Sequence, residues 1–223
     1  MKLAALFSGG KDSTYAVHLA QQKGWEVAKL VSIFPEADDS YMFHVPNIHL
    51  TPLLADALGI DFVKQYTKGE KEKELEDLRE VLASLEIDGI VTGAIASNYQ
   101  RTRIQDVCND LGLTCYNPLW GLDQKEVLVE MIDAGFHILI VGVFAEGLGK
   151  DWLGRRLDMD ALTELESIAN RFGINVSGEG GEFESLVVDG PNFSKRLEIV
   201  DSEIDWEGLG GVLRITYARL AEK

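Results

Sequence analysis

Near the amino terminus, Ser8-Gly9-Gly10-Lys11-Asp12-Ser13 gathers two glycines, two hydroxyls, an ammonium and a carboxylate into one turn. The apolar run 3–7 stops at those glycines and gives way to a pattern with Tyr15, Val17, Leu19 and Ala20 at the apolar positions, which predicts a strand, a tight turn and a helix. Amides in a helix's first turn lack internal acceptors and lie at the positive end of its dipole, so they can hold a phosphate. Gly9 and Gly10 let the backbone come close enough to do so. The chemistry indicated is the grip of Ser8, Gly9, Gly10, Lys11, Asp12 and Ser13 on the phosphates of a nucleotide. The spacing is too short for the mononucleotide loop G-x-x-x-x-G-K-[ST], and the dinucleotide pattern is absent. A glycine turn capped by Ser8 or Asp12 is the purely structural alternative.

Three further stretches concentrate reactive side chains. In Ser97-Asn98-Tyr99-Gln100-Arg101-Thr102-Arg103, two arginines stand on the first turns of a helix predicted to run to Leu111, where each could clamp a carboxylate or phosphate. The glycine-laced segment 147–155 carries Lys150, Trp152 and Arg155 and reads as a functional loop or a connector. In Ser177-Gly178-Glu179-Gly180-Gly181-Glu182-Phe183-Glu184-Ser185, carboxylates crowd among glycines ahead of a strand. Like charges there repel, a cost that a bound cation would offset.

The elements that must position these groups alternate. Strands are predicted at 27–34, 62–66 and 89–94, with helices at about 47–58 and 70–85 between them. That rhythm predicts a doubly wound parallel α/β sheet, whose strand ends border the nucleotide crevice, so segment 36–44 would line it. The rhythm breaks at 117–121, which places an expected boundary between domains 1–118 and 119–223. Beyond it, Asp123 with Glu126 predicts a helix start, 137–143 a strand and 160–172 a helix. Three β-like stretches at 184–188, 195–204 and 212–220 then make the smaller second half α+β.

Composition narrows the partners. The 223 residues carry 37 carboxylates against 21 Lys and Arg, a net charge of −16, which disfavours stable nucleic-acid binding. No run approaches the roughly 18 apolar residues that span a bilayer, so a cytoplasmic protein without membrane contact is expected. Cys108 and Cys115 offer no zinc clamp, and no basic cluster is evident in sequence around either, so both are expected to be buried and inert.

The string Ser-Gly-Gly-Lys-Asp-Ser resembles the pyrophosphate loop of the N-type ATP pyrophosphatases, which split ATP into AMP and pyrophosphate. Together with Ser40-Tyr41-Met42-Phe43-His44, Gly93-Ala94-Ile95, Tyr99 to Arg103, Pro118-Leu119-Trp120 and the string 178–185, it resembles the diphthine-ammonia ligase family over nearly the whole chain. The resemblance implies a Rossmann-like (HUP) ATP domain, a smaller substrate domain, and amide formation on translation elongation factor 2 through an acyl-adenylate. It also implies the short form of the family, eukaryotic members being expected to carry additional carboxyl-terminal domains.

Under that resemblance the loop amides and Lys11 would hold the leaving pyrophosphate, Asp12 would bind Mg2+, and Ile33, Phe34, Gly93, Ala94 and Ile95 would flank the adenine of ATP. Arg101 or Arg103 would orient the diphthine carboxylate. Glu179, Glu182 or Glu184, with an aromatic such as Tyr99 or Trp120, would receive its quaternary amine, or one of the three would bind ammonium and take its proton. Tyr41, His44 and Gln100 complete the expected substrate set, free ammonia is the expected nitrogen source, and self-association is left open. The competing readings are a tRNA-modifying thiolase or lysidine-type ligase with the same loop, and a non-catalytic nucleotide-binding protein on the same fold.

Overall fold

Alternation along the first strand decides which layer each residue serves. In β1 (Lys2–Leu6), Leu3 and Ala5 enter one core and Ala4 the other, as the two-residue period of a strand requires. The computed structural model describes residues 1–35, 46–67, 73–95 and 98–223, with the backbone alone at 73 and 98–100. β1 is the centre of a five-stranded parallel sheet with β2 (Glu26–Pro35), β3 (Asp61–Thr67), β4 (Gly89–Val91) and β5 (Thr114–Tyr116), in the order β3-β2-β1-β4-β5. The helices are α1 (Lys11–Gln22), α2 (Thr51–Leu58), α3 (Lys73–Ala83) and α4 (Asn98–Leu111). Leu78 and Leu82 of α3, with Ile104 and Val107 of α4, cover the Ala4 face.

The expected α+β second half is present. It holds α5 (Gln124–Asp133), β6 (His137–Val143), α6 (Met159–Phe172), β7 (Phe183–Asp189), β8 (Arg196–Glu207) and β9 (Gly210–Ala221). Its strands form an antiparallel sheet in the order β7-β6-β9-β8. Asp123 caps α5 by accepting from the amides of Lys125 and Glu126, each at 3.0 Å. Leu3, Phe7 and Val17 share one continuous core with Phe136, Ile138 and Leu186, so the second sheet closes over the α1 and α2 face of the first.

Three local differences from the expected elements have physical causes. The helix expected at 47–58 opens as a single 3-10 turn, Ile48–Leu50, and becomes α-helical at Thr51, with Pro52 in the first turn where its missing N–H costs nothing. The strand expected at 89–94 ends at Val91, because Gly93 packs against the backbone of the glycine loop instead of a neighbouring strand. β5 is only three residues long, too short for periodicity to reveal. The start of the helix expected at 70–85 lies outside the described residues, and α3 ends at Ala83.

One residue ties the two sheets in an unusual way. Asn47, the one non-glycine residue with positive φ (63°) among those described, substitutes its side chain for a strand partner of β9. Its amide nitrogen donates to Leu213 O at 2.9 Å, and its oxygen accepts from Ile215 N at 2.8 Å. Asparagine tolerates this backbone region better than other side chains.

Candidate active site

The strand order changes direction between β1 and β4, the point in such sheets where ligands bind outside the carboxyl ends. The loop 8–13 leaves β1 at that point, and Gly93 follows β4 there. Gly9 takes φ +79°, open to glycine, and a Cβ on it would lie 2.7 Å from Leu54 Cδ1. Ser13 fastens the turn: its hydroxyl lies 3.1 Å from Ser8 Oγ, donates to Gly10 O at 3.1 Å and receives Ser8 N at 3.3 Å. These bonds fix the loop, with Asp12 and Ser13 in the first turn of α1, where amides have no helical acceptor.

Both sheets brace this turn. A Cβ on Gly93 would fall 2.5 Å from both the carbonyl carbon of Asp12 and the nitrogen of Ser13, so β4 presses bare backbone against the helix start. From the other side, Val187 N donates to Gly9 O at 2.9 Å and Lys11 N to Ser185 Oγ at 3.2 Å. Lys11 is buried; its ammonium sits 2.8 Å from Asp12 Oδ2 and 5.4 Å from the centre of the Phe183 ring. That ring face favours the cation.

Two cavities meet at the loop. One, of about 240 Å³, is mainly apolar and lies between β1, β2 and β4, with Val31, Ile33, Ala94 and Ile104 on its walls. The other, of about 270 Å³, is polar and lies between the loop and the segment 178–185, with Lys11, Glu179, Glu184 and Ser185 on its walls. Ser8, Asp12, Ser13 and Glu179 line both. The apolar slot suits a nucleoside, and the helix-terminal amides where it joins the polar recess suit its phosphates. Burial pushes the Glu184 carboxyl up to about 7; Lys11 opposes that shift, while Asp12 and Glu179 add to it. Asp12 Oδ1 is buried with no hydrogen-bond partner among the described residues, an oxygen suited to a cation. No cluster of three or more metal-ligating side chains occurs among the described residues.

Comparison with known proteins gives this geometry a relationship. The model of the diphthamide synthase N-terminal domain matches residues 1–115, and that of the diphthamide synthase C-terminal domain matches residues 123–221. The chain belongs to the diphthamide synthase family. Its diphthamide synthase relatives include proteins named diphthine--ammonia ligase from Bos taurus and Homo sapiens, 34% and 33% identical over 246 residues. The match spans 100% of this chain and 91% of each of those two. A Schizosaccharomyces pombe protein of the same name is 32% identical, with 92% of this chain covering 37% of it. The expected longer eukaryotic form fits the Schizosaccharomyces pombe relative but not the bovine and human ones, which are close to this chain in length. A solved structure described as a predicted subunit of tRNA methyltransferase from Methanocaldococcus jannaschii superposes with a TM-score of 0.50 at 17% identity, covering 86% of this chain and 98% of that one, and shows a shared fold alone.

Within this diphthamide synthase fold, the structure brings Ser8, Gly10 to Ser13, Ile33, Gly93, Ala94, Glu179 and Glu184 together around the two cavities, while Gly9 lines neither. Phe34 faces away from them, since successive strand residues point to opposite sides; it packs on Phe62 with Lys64 Nζ 4.0 Å above its ring. Ile95 is buried in the shared core. Glu182, expected to be catalytic, lines neither cavity; its Oε1 accepts from Asn175 N and its Oε2 from Gly180 N, each at 2.8 Å. Arg101 stacks on Trp120 with its guanidinium carbon 4.2 Å from the ring centre. Neither residue lines the two cavities, and Arg103 stands beside Ile104 without lining them. Tyr41 and His44, like the side chains of Tyr99 and Gln100, lie outside the described residues.

Thr92, Phe183 and Ser185 are contributors that reading the sequence did not assign. Their type and spacing carry no signal, because each meets the loop only through the tertiary fold. The cysteines also depart from expectation. Cys108 is buried, but Cys115 is held down to about 7 by its hydrogen bond with Cys108, aided by Asn117 and by the charge of Arg101, against the effect of burial. The basic group missing from the local sequence comes from α4.

Proposed function

We propose that this chain performs the reaction for which its relatives are named, converting diphthine on translation elongation factor 2 to diphthamide with ammonia. ATP is consumed to AMP and pyrophosphate. The observation that carries the reading is the junction of an apolar slot and a polar recess at Ser8, Asp12 and Ser13. That junction supports a reading in which the α phosphate of a bound ATP lies between the nucleoside and a second reactant.

A carboxylate oxygen of diphthine attacks the α phosphorus, and the bond to the bridging oxygen breaks as pyrophosphate departs with its electron pair. The growing charge on pyrophosphate faces the amides at the start of α1 and the Lys11 ammonium, donors in place before the reaction begins. Neutral ammonia then attacks the acyl carbon of the adenylate, AMP leaves, and the nitrogen loses a proton to give the amide. Glu184, half ionised near neutrality, lies in the recess with Glu179 and is suited to bind ammonium and accept its proton. Glu179 would face the quaternary amine of diphthine. Mg2+, held through Asp12, would neutralise phosphate charge. A translation factor as acceptor sets the site of action in the cytoplasm. No helix among the described residues is long and apolar enough to cross a membrane.

The test is incubation of the chain with ATP, Mg2+, an ammonium salt and diphthine-bearing factor 2, followed by the acid-to-amide mass change and the nucleotide product. Amide, AMP and pyrophosphate are expected, and Lys11→Ala should lower all three together. Release of ADP would refute the α-phosphorus assignment, and AMP without amide would refute diphthine as the acceptor.

A further inference from the structure

The β8–β9 hairpin ends in a surface that the chemistry above does not use. Leu209, at its turn, is 80% exposed, Phe144 just past β6 is 50% exposed, and Trp206 is 36% exposed. With Asp205 and Glu207 they wall a shallow groove of about 650 Å³. Its floor is made of glycine. A Cβ on Gly210 would lie 2.7 Å from Val143 O and 3.2 Å from the Phe144 ring, and one on Gly211 would lie 2.6 Å from the Trp206 ring. The two aromatic rings can lie against the strand only because those positions lack side chains. Rings and a leucine gathered in this way, rimmed by charge, mark a surface built for contact.

The groove adjoins the polar recess through backbone pairing. Val143 of β6 pairs with Gly211 of β9 on one side and with Phe183 of β7 on the other, and Phe144 N donates to Glu182 O at 2.9 Å. The groove thus lies two strand spacings from the strand whose start lines the recess, about 10 Å. A long side chain presented by a bound protein can cover that distance.

Charge selects the occupant. Asp205 is engaged by Arg214 at 2.6 Å, and Glu207 stands exposed beside the apolar walls. The loop that leads into β7 contributes the acidic string 179–184, on a chain of net charge −16. A basic segment is attracted by that field, while an acidic one is repelled.

We infer that this groove, walled by Phe144, Trp206 and Leu209 and edged by Glu207, receives the protein substrate through a basic segment that carries an apolar residue, and so holds the modified side chain at the recess. The inference rests on the proposed function and adds the surface by which the substrate protein is recognised.

The experiment measures amidation by the full chain against the concentration of diphthine-bearing factor 2, at saturating ATP, Mg2+ and ammonium. Leu209→Asp and Glu207→Lys are each expected to raise KM for the factor about tenfold or more with kcat within about twofold. ATP affinity should be unchanged, and Tyr217→Ala, at an exposed site on the same hairpin, should behave as wild type. The wild-type KM should rise with salt, and the slope should be shallower in Glu207→Lys. An unchanged KM in a folded Leu209→Asp variant overturns the inference. So does sedimentation showing a wild-type dimer that Leu209→Asp separates, which would assign the groove to a second copy. Failure of the wild type to form amide would instead sink the functional reading, and this inference with it.

Discussion

The backbone amide of Lys11 donates to the hydroxyl of Ser185 at 3.2 Å, across 174 residues of chain. The turn proposed to bind phosphate, near the start of the molecule, therefore takes part of its shape from a strand near the end. Ser185→Ala leaves a buried N–H without its acceptor, which costs about 1–3 kcal/mol. The expected result is at least a fivefold loss of ATP affinity by calorimetry with the fold retained. ATP affinity equal to wild type would show that the contact does not shape the loop.

Gly93 meets the turn from the opposite side. Gly93→Ala sets a methyl group 2.5 Å from backbone atoms of Asp12 and Ser13, which cannot swing aside as a side chain would. Overpacking of this kind costs about 1–3 kcal/mol. A lowered melting temperature is expected, together with loss of AMP formation at temperatures where the variant is still folded. A variant with normal AMP formation would mean that the turn relaxes without loss of function.

Glu184 introduces a pH dependence opposite to that of a salt-bridged carboxylate. Its proton is held to about 7 in the folded chain, against an ordinary value of 4.5, so between those values the folded state carries more protons than the unfolded one. Stability contributed at this residue is highest below 4.5, falls as pH rises to about 7 and is level above. Glu184→Gln should therefore be more stable than wild type above pH 7, by on the order of 2 kcal/mol after solvent screening, and should match it below 4.5. Thermal melts at the two pH extremes check the sign. In activity, the ammonium-dependent rate of the wild type should rise with an inflection near 7 that the glutamine variant lacks.

Cys115 should be the reactive thiol. Its lowered pKa predicts that Cys115 is alkylated by iodoacetamide at a lower pH than an ordinary thiol, while buried Cys108 stays unmodified. Peptide mass spectrometry over a pH series measures both. Arg101→Ala should shift the Cys115 profile upward, because it removes a charge that favours the thiolate.

The parts of the site legible beforehand were those in which local chemistry coincides with function. Two glycines between an apolar run and a helix pattern, followed by Lys11 and Asp12, mark a turn suited to a phosphate, because helix-terminal amides and glycine freedom are properties of neighbours in the chain. The rhythm of strands and helices likewise declared the parallel sheet and an α+β second half, since the periods of two and 3.6 are written in consecutive residues. Glu182 shows where that reasoning stops. Its composition matched that of Glu179 and Glu184, yet its oxygens turn back to the amides of Asn175 and Gly180.

By itself, then, the amino-acid order determined the family, the parallel sheet, the α+β second half and the glycine turn after the first strand. Only the tertiary structure decided which carboxylates face that turn, that Ser185 and Gly93 brace it, that Arg101 lies on Trp120 and acts on Cys115, and that an aromatic groove adjoins the recess. The reason is physical: helix and strand preferences act over a few residues, whereas the direction of a side chain is set by packing between segments far apart in the chain.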